Sequence, residues 1–452
     1  MPAALTLDLG KFIAGLRYED IPADAIPFIH TGFADCVGVM IAGAAEPAPQ
    51  LVRAMLAPGS GEATLLFGAG RASAPEAAWI NGTAAHALDF DDVAQRGHPS
   101  AVLVPAILAE AEAIGASGEA MLLAYAAGYE TWAELVRRES DAHHNKGWHP
   151  TGIFGAIAAA AACASLRRLG ATQAAHAIAL GASQSAGLMS NFGTMTKPFH
   201  AGRAAHAGVV SARLAGSGFT AALDTLEHPQ GFLGAVSPAG RIDRNTAVEA
   251  GRVWKLARDG VAVKKYPLCY CTHRALDGML DLLQAERVDA AKVSRVVVST
   301  SPRYATILRN HAPQTGLEAK FSMEFAMASA LIAGRASPAE LTDDFVRRPE
   351  VQALMRRVAV KQDEREDPAA PGQAIYDEVS IETDSAATPA SIRVTKVRGG
   401  PDLPLSRAEL WSKFEGCVQA GSLRAPAKDL FEALMSLERL PRVADLPGLG
   451  RA

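Results

Sequence analysis

The sequence is poor in aromatic residues, in cysteine and in net charge, and each shortage excludes a class of protein. Aromatic residues make up 6% of the 452 residues, which, together with abundant alanine, favours closely packed helices over a β-sandwich. The five cysteines are an odd number scattered along the chain. This pattern predicts that they form no disulfide framework and that the protein is located in the reducing cytoplasm. The 44 basic residues face 48 acidic ones, a net charge of −4, which excludes the basic surface of a nucleic-acid-binding protein.

Long hydrophobic runs and targeting segments are also lacking. The most apolar run, residues 152–164, is mostly alanine and glycine. It is shorter than the ~20 residues that a membrane helix needs, so we interpret it as a buried helix. The N-terminus lacks the basic region and the apolar core of a secretory signal peptide. We therefore expect a cytoplasmic protein that does not contact a membrane.

The order of hydrophobic patterns along the chain predicts two domains. From residue 20 to about residue 260, apolar residues recur at helical spacing, with glycine and proline between the segments. After Tyr266-Pro267, β-branched segments predict strands with helices between them, and helical spacing returns near residue 403. We predict a mainly α protein. Its large all-helical domain spans 1–262 and 403–452, and a smaller α+β lid domain spans 263–402.

Common cofactor and metal motifs are missing from the sequence. No dinucleotide-binding glycine fingerprint, Walker A loop, zinc-protease motif or nucleophile elbow is present. Cys269 and Cys271, followed by His273, could form a soft-metal cluster, but no second Cys/His pair at zinc-finger spacing accompanies them. We therefore predict neither a metal nor a cofactor.

A histidine or lysine precedes a proline in four places. His98 and His149 each stand directly before one, as does Lys197, and Lys264 lies three residues before Pro267. Proline suits the first turn of a helix, so these side chains are expected near helix N-termini, where free N–H groups attract anions. An ordinary helix start is the alternative for any single one. Four together predict a pocket for a substrate with two or three carboxylates.

Carboxylates are concentrated just before His98. Asp89, Asp91 and Asp92 lie within four residues of one another. A carboxylate paired with a histidine fixes its tautomer and creates a general base. A metal site of one of these carboxylates with His98 is a second interpretation, and a solvated acidic loop is the alternative for Asp92.

Two further segments could contribute reactive groups. Lys197 lies in a stretch with few charges and many hydrogen-bond donors, 191–200, and could bind a carboxylate or stabilise an enolate. A solvated loop lysine is the alternative. Cys269 follows two lysines, and a thiol near cations can exchange protons, although a buried, inert cysteine is commoner. His200 and His206 are weaker candidates.

Taken together, these segments resemble the MmgE/PrpD family, whose members include 2-methylcitrate dehydratase, cis-aconitate decarboxylase and iminodisuccinate epimerase. The resemblance implies a large helical domain, a smaller lid domain, a homodimer and chemistry without a metal or cofactor. It also implies that Asp89, His98, His149, Lys197 and Lys264 line the active site and bind a polycarboxylate. The stretches that carry the resemblance are 86–100, 147–151, 191–204, 264–273 and 318–322.

Three positions depart from the decarboxylase pattern of that family. Val93 stands where the pattern has threonine, Cys269 where it has histidine, and Phe325 where it has tyrosine. These departures argue against cis-aconitate decarboxylation. The Gly-Trp-His-Pro-Thr and Cys-Tyr-x-x-His elements are more similar to the epimerase.

We therefore expect a hydro-lyase that abstracts a proton α to a carboxylate of a small di- or tricarboxylic acid. His98, oriented by Asp89, is expected to carry the proton. An epimerase is the alternative if the substrate has no leaving group, and a non-catalytic carboxylate-binding protein is a second alternative. The expected catalytic residues are Asp89, His98, His149, Lys197 and Cys269, and the expected substrate-binding residues are Lys264, Thr196 and His273.

Overall fold

The computed structural model is 56% helical with 10% strand, which confirms the prediction of a mainly α protein. It describes residues 4–68, 70–286, 288–368, 370–384, 388–421, 423 and 425–449. The chain divides into two compact units. Unit 1 comprises the residues up to Asn191, Met195–Val263 and the segment from Ser406 onwards, and unit 2 comprises Phe192–Thr194 and Lys264–Leu405.

Unit 1 is built from helices around a core of small residues. Its strands β1 (Ala63–Thr64) and β2 (Arg71–Ala72) form one short antiparallel pair. The helices of its first two segments are α1 (Leu5–Gly15), α2 (Ile26–Gly43), α3 (Pro47–Leu56), α4 (Ala74–Ala87), α5 (Pro99–Ile114), α6 (Gly118–Arg137), α7 (Pro150–Leu166), α8 (Ala171–Ser183), α9 (Thr196–Gly216), α10 (Phe232–Val236) and α11 (Lys255–Asp259).

Unit 2 combines helices with a mixed four-stranded sheet. Strand β3 is central: it pairs in parallel with β4 and antiparallel with β7, which in turn pairs antiparallel with β8. The predicted strand at Val293–Thr300 is confirmed as β3. The elements are α12 (His273–Glu286), β3 (Val293–Thr300), α13 (Pro302–Ile307), α14 (Gly316–Ala319), α15 (Met323–Ala333), α16 (Asp343–Val346), α17 (Pro349–Met355), β4 (Val358–Gln362), β5 (Glu366–Asp367), β6 (Ala370–Ala374), β7 (Asp377–Thr383) and β8 (Ala390–Val394).

The last two helices, α18 (Arg407–Ala420) and α19 (Ala427–Leu434), belong to unit 1. Helix α18 packs on α2, where Gly38 makes room for the Phe414 ring: a Cβ at Gly38 would lie 2.9 Å from that ring. The chain therefore returns to unit 1 after unit 2, where α18 packs against α2.

Helix α7 is the most deeply buried helix of unit 1 in the described residues. Every residue from Pro150 to Leu166 is buried, as the alanine- and glycine-rich run predicts. Helix α2 is long and apolar enough to cross a membrane by length and composition. However, 78% of its apolar window is buried within the structure, which is the burial of a core helix.

Two glycines let α4 and α9 cross in close contact. A Cβ at Gly82 would lie 3.0 Å from the Cα of Gly202, and a Cβ at Gly202 would lie 2.2 Å from Thr83 Oγ1 and 2.4 Å from the Trp79 carbonyl oxygen. Side-chain volume at this crossing would separate the helices, because packed interiors have no space to absorb it. The close approach sets the distance between His86, near the end of α4, and Lys197, in the first turn of α9.

We predict that Gly202→Ala destabilises unit 1, because the added methyl group meets a backbone carbonyl. Overpacking of this kind costs about 1–3 kcal/mol of unfolding free energy, measured by urea denaturation at neutral pH. The matched control is Gly416→Ala in α18, where a Cβ would meet nothing within 4 Å. That substitution should stabilise the protein by roughly 0.5–1 kcal/mol through helix propensity. Equal effects at the two glycines would contradict the close-contact account.

Candidate active site

Ends of four helices bring polar side chains together in unit 1. His86 lies in the last turn of α4, and Asp89 and Asp91 lie in the loop that follows. His98 is the N-cap of α5, and Lys197 is the second residue of α9. His149 is the N-cap of α7, so one histidine or lysine from each of these helices contributes to a single cluster.

The prediction that proline places a histidine or lysine at a helix start is confirmed for His98, His149 and Lys197. It is wrong for Lys264, because the next helical segment, a 3-10 turn at Tyr270–Thr272 that leads into α12, begins six residues later. Instead, the chain after Lys264 makes a tight turn in which the Leu268 N–H donates to the Tyr266 carbonyl, 2.8 Å away. The proline there belongs to the turn and does not start a helix.

A continuous chain of short contacts links the cluster. Lys197 Nζ lies 2.8 Å from Asp89 Oδ1 and 2.8 Å from His86 Nε2. On the other side of its ring, His86 Nδ1 lies 2.9 Å from Asp91 Oδ1. The second carboxylate oxygen of Asp91 lies 2.9 Å from His98 Nδ1. Asp91 therefore bridges two imidazole rings, and its own side chain is fully buried.

These contacts determine the tautomers of both histidines. A carboxylate oxygen accepts hydrogen bonds, so the Nδ1 atoms of His86 and His98 must carry protons. The hydrogen bond of His98 Nδ1 goes to the Asp92 carbonyl oxygen at 2.9 Å, and the Asp91 carboxylate oxygen lies at the same distance from this nitrogen. His86 Nε2 then has a lone pair that accepts a hydrogen bond from Lys197. In neutral His98 the lone pair is on Nε2, which is the arrangement of a general base.

Burial and charge together determine which groups of this chain ionise. Burial lowers the pKa of His86 to about 3, with Asp91 opposing and Lys197 contributing, so this ring stays neutral at physiological pH. Burial alone would raise the pKa of Asp91, but the two imidazoles outweigh it and hold that pKa well below its usual range. Asp91 is therefore an ionised carboxylate between two histidines.

A second histidine pair lies next to this chain. His149 Nδ1 and His200 Nδ1 are 3.1 Å apart, so one nitrogen donates to the other. The His149 ring stacks on His86 at 5.9 Å between ring centroids. Burial, followed by the charge of Lys197, lowers the pKa of His149 well below its usual value and that of His200 to about 4. Both rings are therefore neutral hydrogen-bonding groups near pH 7.

The structure corrects the predicted partner of His98. We expected Asp89 to orient this histidine, but Asp91 occupies that position and Asp89 instead forms an ion pair with Lys197. The reason is the backbone at Asp89, whose φ of 51° is left-handed. The chain reverses direction there, which turns the next carboxylate, and not Asp89, towards His98. Aspartate is among the few non-glycine residues that adopt this conformation readily.

The other predicted residues lie elsewhere along the chain. Thr196 is the first residue of α9 in unit 1. Lys264, Cys269 and His273 belong to unit 2, where Lys264 is 1% exposed. The Cys269 N–H donates to the Lys320 carbonyl at 2.9 Å, and His273 Nε2 lies 3.2 Å from the Leu268 carbonyl oxygen. These contacts fix the segment from Lys264 to His273 within unit 2.

Three members of the cluster were absent from the predicted site: His86, Asp91 and His200. All three lie in segments that the sequence analysis singled out, but Asp89 was preferred to Asp91 and His200 was ranked as a weaker candidate. The signal that could have identified His86 is its position three residues before Asp89, near a helix C-terminus. Nothing in the sequence pairs His200 with His149, because that contact depends on how α7 and α9 pack.

The cluster also has the composition of a metal site. Ligand atoms of His86, Asp89, Asp91 and His98 all lie within 4.8 Å of one another. However, Lys197 Nζ already contacts His86 Nε2 and Asp89 Oδ1. A divalent ion would therefore compete with a lysine ammonium for the same two atoms, and the arrangement suits an internal cation.

Asp91 and Asp92 are neighbours that should respond differently to substitution. Burial, then the charges of Asp35 and Asp91, raise the pKa of Asp92 well above its usual range, so a neutral amide should replace its carboxyl group at a lower cost than at Asp91. We predict that Asp91→Asn lowers the unfolding free energy by about 2–4 kcal/mol, since it removes a charged acceptor from two buried donors. Asp92→Asn should cost less than about 1 kcal/mol. Urea denaturation at pH 7 measures both, and similar losses would contradict the opposite pKa shifts of the two carboxyl groups.

Lowered histidine pKa values make the folded state sensitive to acid. In the unfolded chain a histidine takes up a proton near pH 6.5, whereas folded His200 stays neutral until about pH 4. Stability is therefore complete above pH 6.5 and falls as the pH decreases towards 4, by up to about 1.4 kcal/mol per pH unit for each such group. We predict that His200→Gln flattens the dependence of the unfolding free energy on pH in this window. An unchanged slope would contradict a buried, neutral His200.

Comparison with known proteins places the chain in a family. Residues 7–245 match the model of the MmgE/PrpD N-terminal domain, and residues 266–434 match that of the MmgE/PrpD C-terminal domain. Cis-aconitate decarboxylase of Mus musculus is 28% identical over 388 residues, which cover 83% of this chain and 77% of the relative. The Homo sapiens enzyme of that name is 29% identical, with 80% and 75% covered, and that of Aspergillus terreus is 23% identical, with 98% and 95% covered.

The two family models together span most of the chain, and the named relatives match the greater part of their own length. The protein is thus an enzyme of this type, and its relatives support a lyase. The chain belongs to the MmgE/PrpD family.

Proposed function

We propose that the protein is a lyase that removes a proton α to a carboxylate of a small di- or tricarboxylic acid, with His98 as the base. The observation that carries the proposal is the contact between His98 Nδ1 and the buried Asp91 carboxylate. It leaves the lone pair of the neutral ring on Nε2 and stabilises the imidazolium that forms when Nε2 accepts a proton. His98 is the more exposed of the two residues, with 13% of its side chain accessible against 0% for Asp91, as a base that must reach a substrate requires.

Lys197 supplies the positive charge that this reaction needs. Removing a proton next to a carboxylate creates an enediolate, and a preorganised cation in a dry site stabilises that charge strongly. The side chain of Lys197 is 5% exposed. The neutral rings of His149 and His200 add hydrogen-bonding groups beside it without competing positive charge. Lys264, Thr196, Cys269 and His273 remain our predicted substrate contacts or proton carriers.

The fate of the carbanion depends on the substrate. A hydroxyl group on the adjacent carbon leaves as water, and the reaction is a dehydration. Without a leaving group, a proton returned to the opposite face gives an epimer. One proton abstraction therefore serves a dehydratase or an epimerase, and we propose the dehydratase first because the comparisons support a lyase.

Decarboxylation of cis-aconitate is a second candidate, favoured by the names of the relatives. The structure shows the surroundings of two of the three positions that depart from the decarboxylase pattern. Phe325 is fully buried in α15 and packs edge-to-face on Phe345, with 6.3 Å between ring centroids. The backbone of Val93 pairs with that of Ala262. A valine side chain therefore stands here in place of the threonine hydroxyl of the decarboxylase pattern. Because no hydroxyl or imidazole stands at these positions, we rank decarboxylation below dehydration.

Proton NMR in D2O with a panel of 2-methylcitrate, citrate, cis-aconitate and iminodisuccinate tests the proposal. New vinyl signals from a hydroxy acid would establish elimination. Loss of an α-proton signal without a new skeleton would indicate epimerase-type exchange, and release of CO2 from cis-aconitate would indicate decarboxylation. A folded protein that neither converts nor exchanges any of the four acids would contradict the proposal.

We predict that Lys197→Met and Lys264→Met each lower kcat by about 10²–10³, the usual cost of losing a preorganised donor. Lys265→Met is the matched control, because Lys265 is adjacent to Lys264 but exposed. It should keep nearly normal activity. The double variant Asp89→Asn/Lys197→Met leaves no unpaired buried carboxylate, so it separates catalysis from folding. Normal turnover in this folded double variant would refute the role of Lys197.

A further inference from the structure

A lysine from the C-terminal segment binds the loop that carries Asp89 and Asp91. Lys413 Nζ, on α18, donates a hydrogen bond to the Phe90 carbonyl oxygen at 2.7 Å and lies 3.9 Å from the centre of the Phe90 ring. It also forms an ion pair with Asp35 of α2. The side chain of Lys413 is 7% exposed and that of Asp35 is fully buried.

The position of the Lys413–Phe90 hydrogen bond in the loop couples it to the cluster. Phe90 is the single residue between Asp89 and Asp91, and its carbonyl belongs to the peptide group that leads into Asp91. Just before it, the backbone is left-handed at Asp89, a conformation that persists in a non-glycine residue when its surroundings hold it. A bond to the Phe90 carbonyl therefore fixes the direction from which the Asp91 side chain departs.

Apolar packing also holds α18 against this loop. Phe90 belongs to a buried cluster with Val39 and Ala42 of α2 and Cys417 of α18, and Leu88 packs against that cluster. Cys417 lies one helical turn after Lys413, so both side chains face the same loop. The loop is thus held by an apolar contact and a charged hydrogen bond from one helix face.

We propose that Lys413 is a positioning residue of the active site, which acts through the Phe90 carbonyl to hold both the Asp91 carboxylate and the Asp92 carbonyl oxygen against His98 Nδ1. It does not touch the reacting atoms. Its effect is on the tautomer of His98 and, through that tautomer, on kcat. Only the kinetic part of this inference rests on the proposed function, since the tautomer is a property of the unliganded protein.

The decisive variant is Asp35→Asn/Lys413→Met. Removing Lys413 alone would leave Asp35 as an unpaired buried charge and could unfold the protein, whereas the double variant removes both charges and keeps the side-chain volumes. Lys413→Arg retains a charged donor. Lys428→Met is the matched control, because Lys428 also ion-pairs with a carboxylate, at 3.0 Å, and lies 4.4 Å from the Trp411 ring centre, but is 57% exposed.

Nitrogen-15 NMR of labelled histidines measures the tautomer directly, with His98→Gln used to assign the His98 signals. We expect the Nδ1–H form in the wild type, in Lys413→Arg and in Lys428→Met, and a mixture of both tautomers in the double variant. A double variant whose His98 signals match those of the wild type would overturn the proposal.

Kinetics provide an independent readout with a substrate from the panel above. The double variant should lose about tenfold to a hundredfold in kcat, as expected when a catalytic group is misplaced. Its KM should stay within twofold of the wild type, because Lys197 and Lys264 are untouched, and Lys413→Arg should recover most of kcat. A tenfold to hundredfold rise in KM of the double variant with unchanged kcat would refute the positioning role. If the wild type converts no panel acid, the proposed function fails, but the NMR comparison still decides the role of Lys413.

Discussion

The cluster depends on one buried carboxylate that two imidazole rings share. Asp91 contacts Nδ1 of His86 with one oxygen and Nδ1 of His98 with the other, each at 2.9 Å. An ionised carboxylate without such partners would be costly to bury, and the two rings compensate: His86 donates a hydrogen bond to it, and His98 Nδ1 lies within ion-pair distance. These contacts, with the hydrogen bond from His98 Nδ1 to the Asp92 carbonyl oxygen, set the tautomers of both rings. Lys197 can then donate to His86, while His98 keeps its lone pair on Nε2.

The helical scaffold makes this arrangement possible by bringing backbones close together. Gly82 and Gly202 let α4 and α9 cross with almost no side-chain volume between them, and this crossing carries His86 and Lys197 to within 2.8 Å. Helix α7 is buried along its whole length and presents His149 at its N-terminus. Small residues in the core therefore have a functional consequence, because they determine the distances between helix ends.

Local sequence rules predicted most of the framework. Proline after His98 and His149 located two helix starts, and the β-branched run at Val293–Thr300 located the central strand β3. Such features depend on a few neighbouring residues, so a single sequence contains enough information for them. The identification of Lys197 and of the acidic loop rested on composition in the same local way.

Contacts between distant segments could not be predicted in this way. The sequence suggested that a carboxylate orients His98, but the left-handed backbone at Asp89 decides that Asp91 does so. The pairing of His149 with His200 depends on helix packing, and the contact of Lys413 with Phe90 joins residues 323 positions apart. The proline after Lys264 was misread because Pro267 stands in a turn, six residues before α12 begins.

The most direct test of this account is the titration of His86 in the wild-type protein, followed by nitrogen-15 NMR from pH 8 to pH 4. The account predicts that His86 remains neutral with its proton on Nδ1 throughout this range, since its pKa is lowered to about 3. A His86 that gains a proton near the ordinary pKa of about 6.5, or that carries its proton on Nε2, would contradict the shared carboxylate on which the account depends.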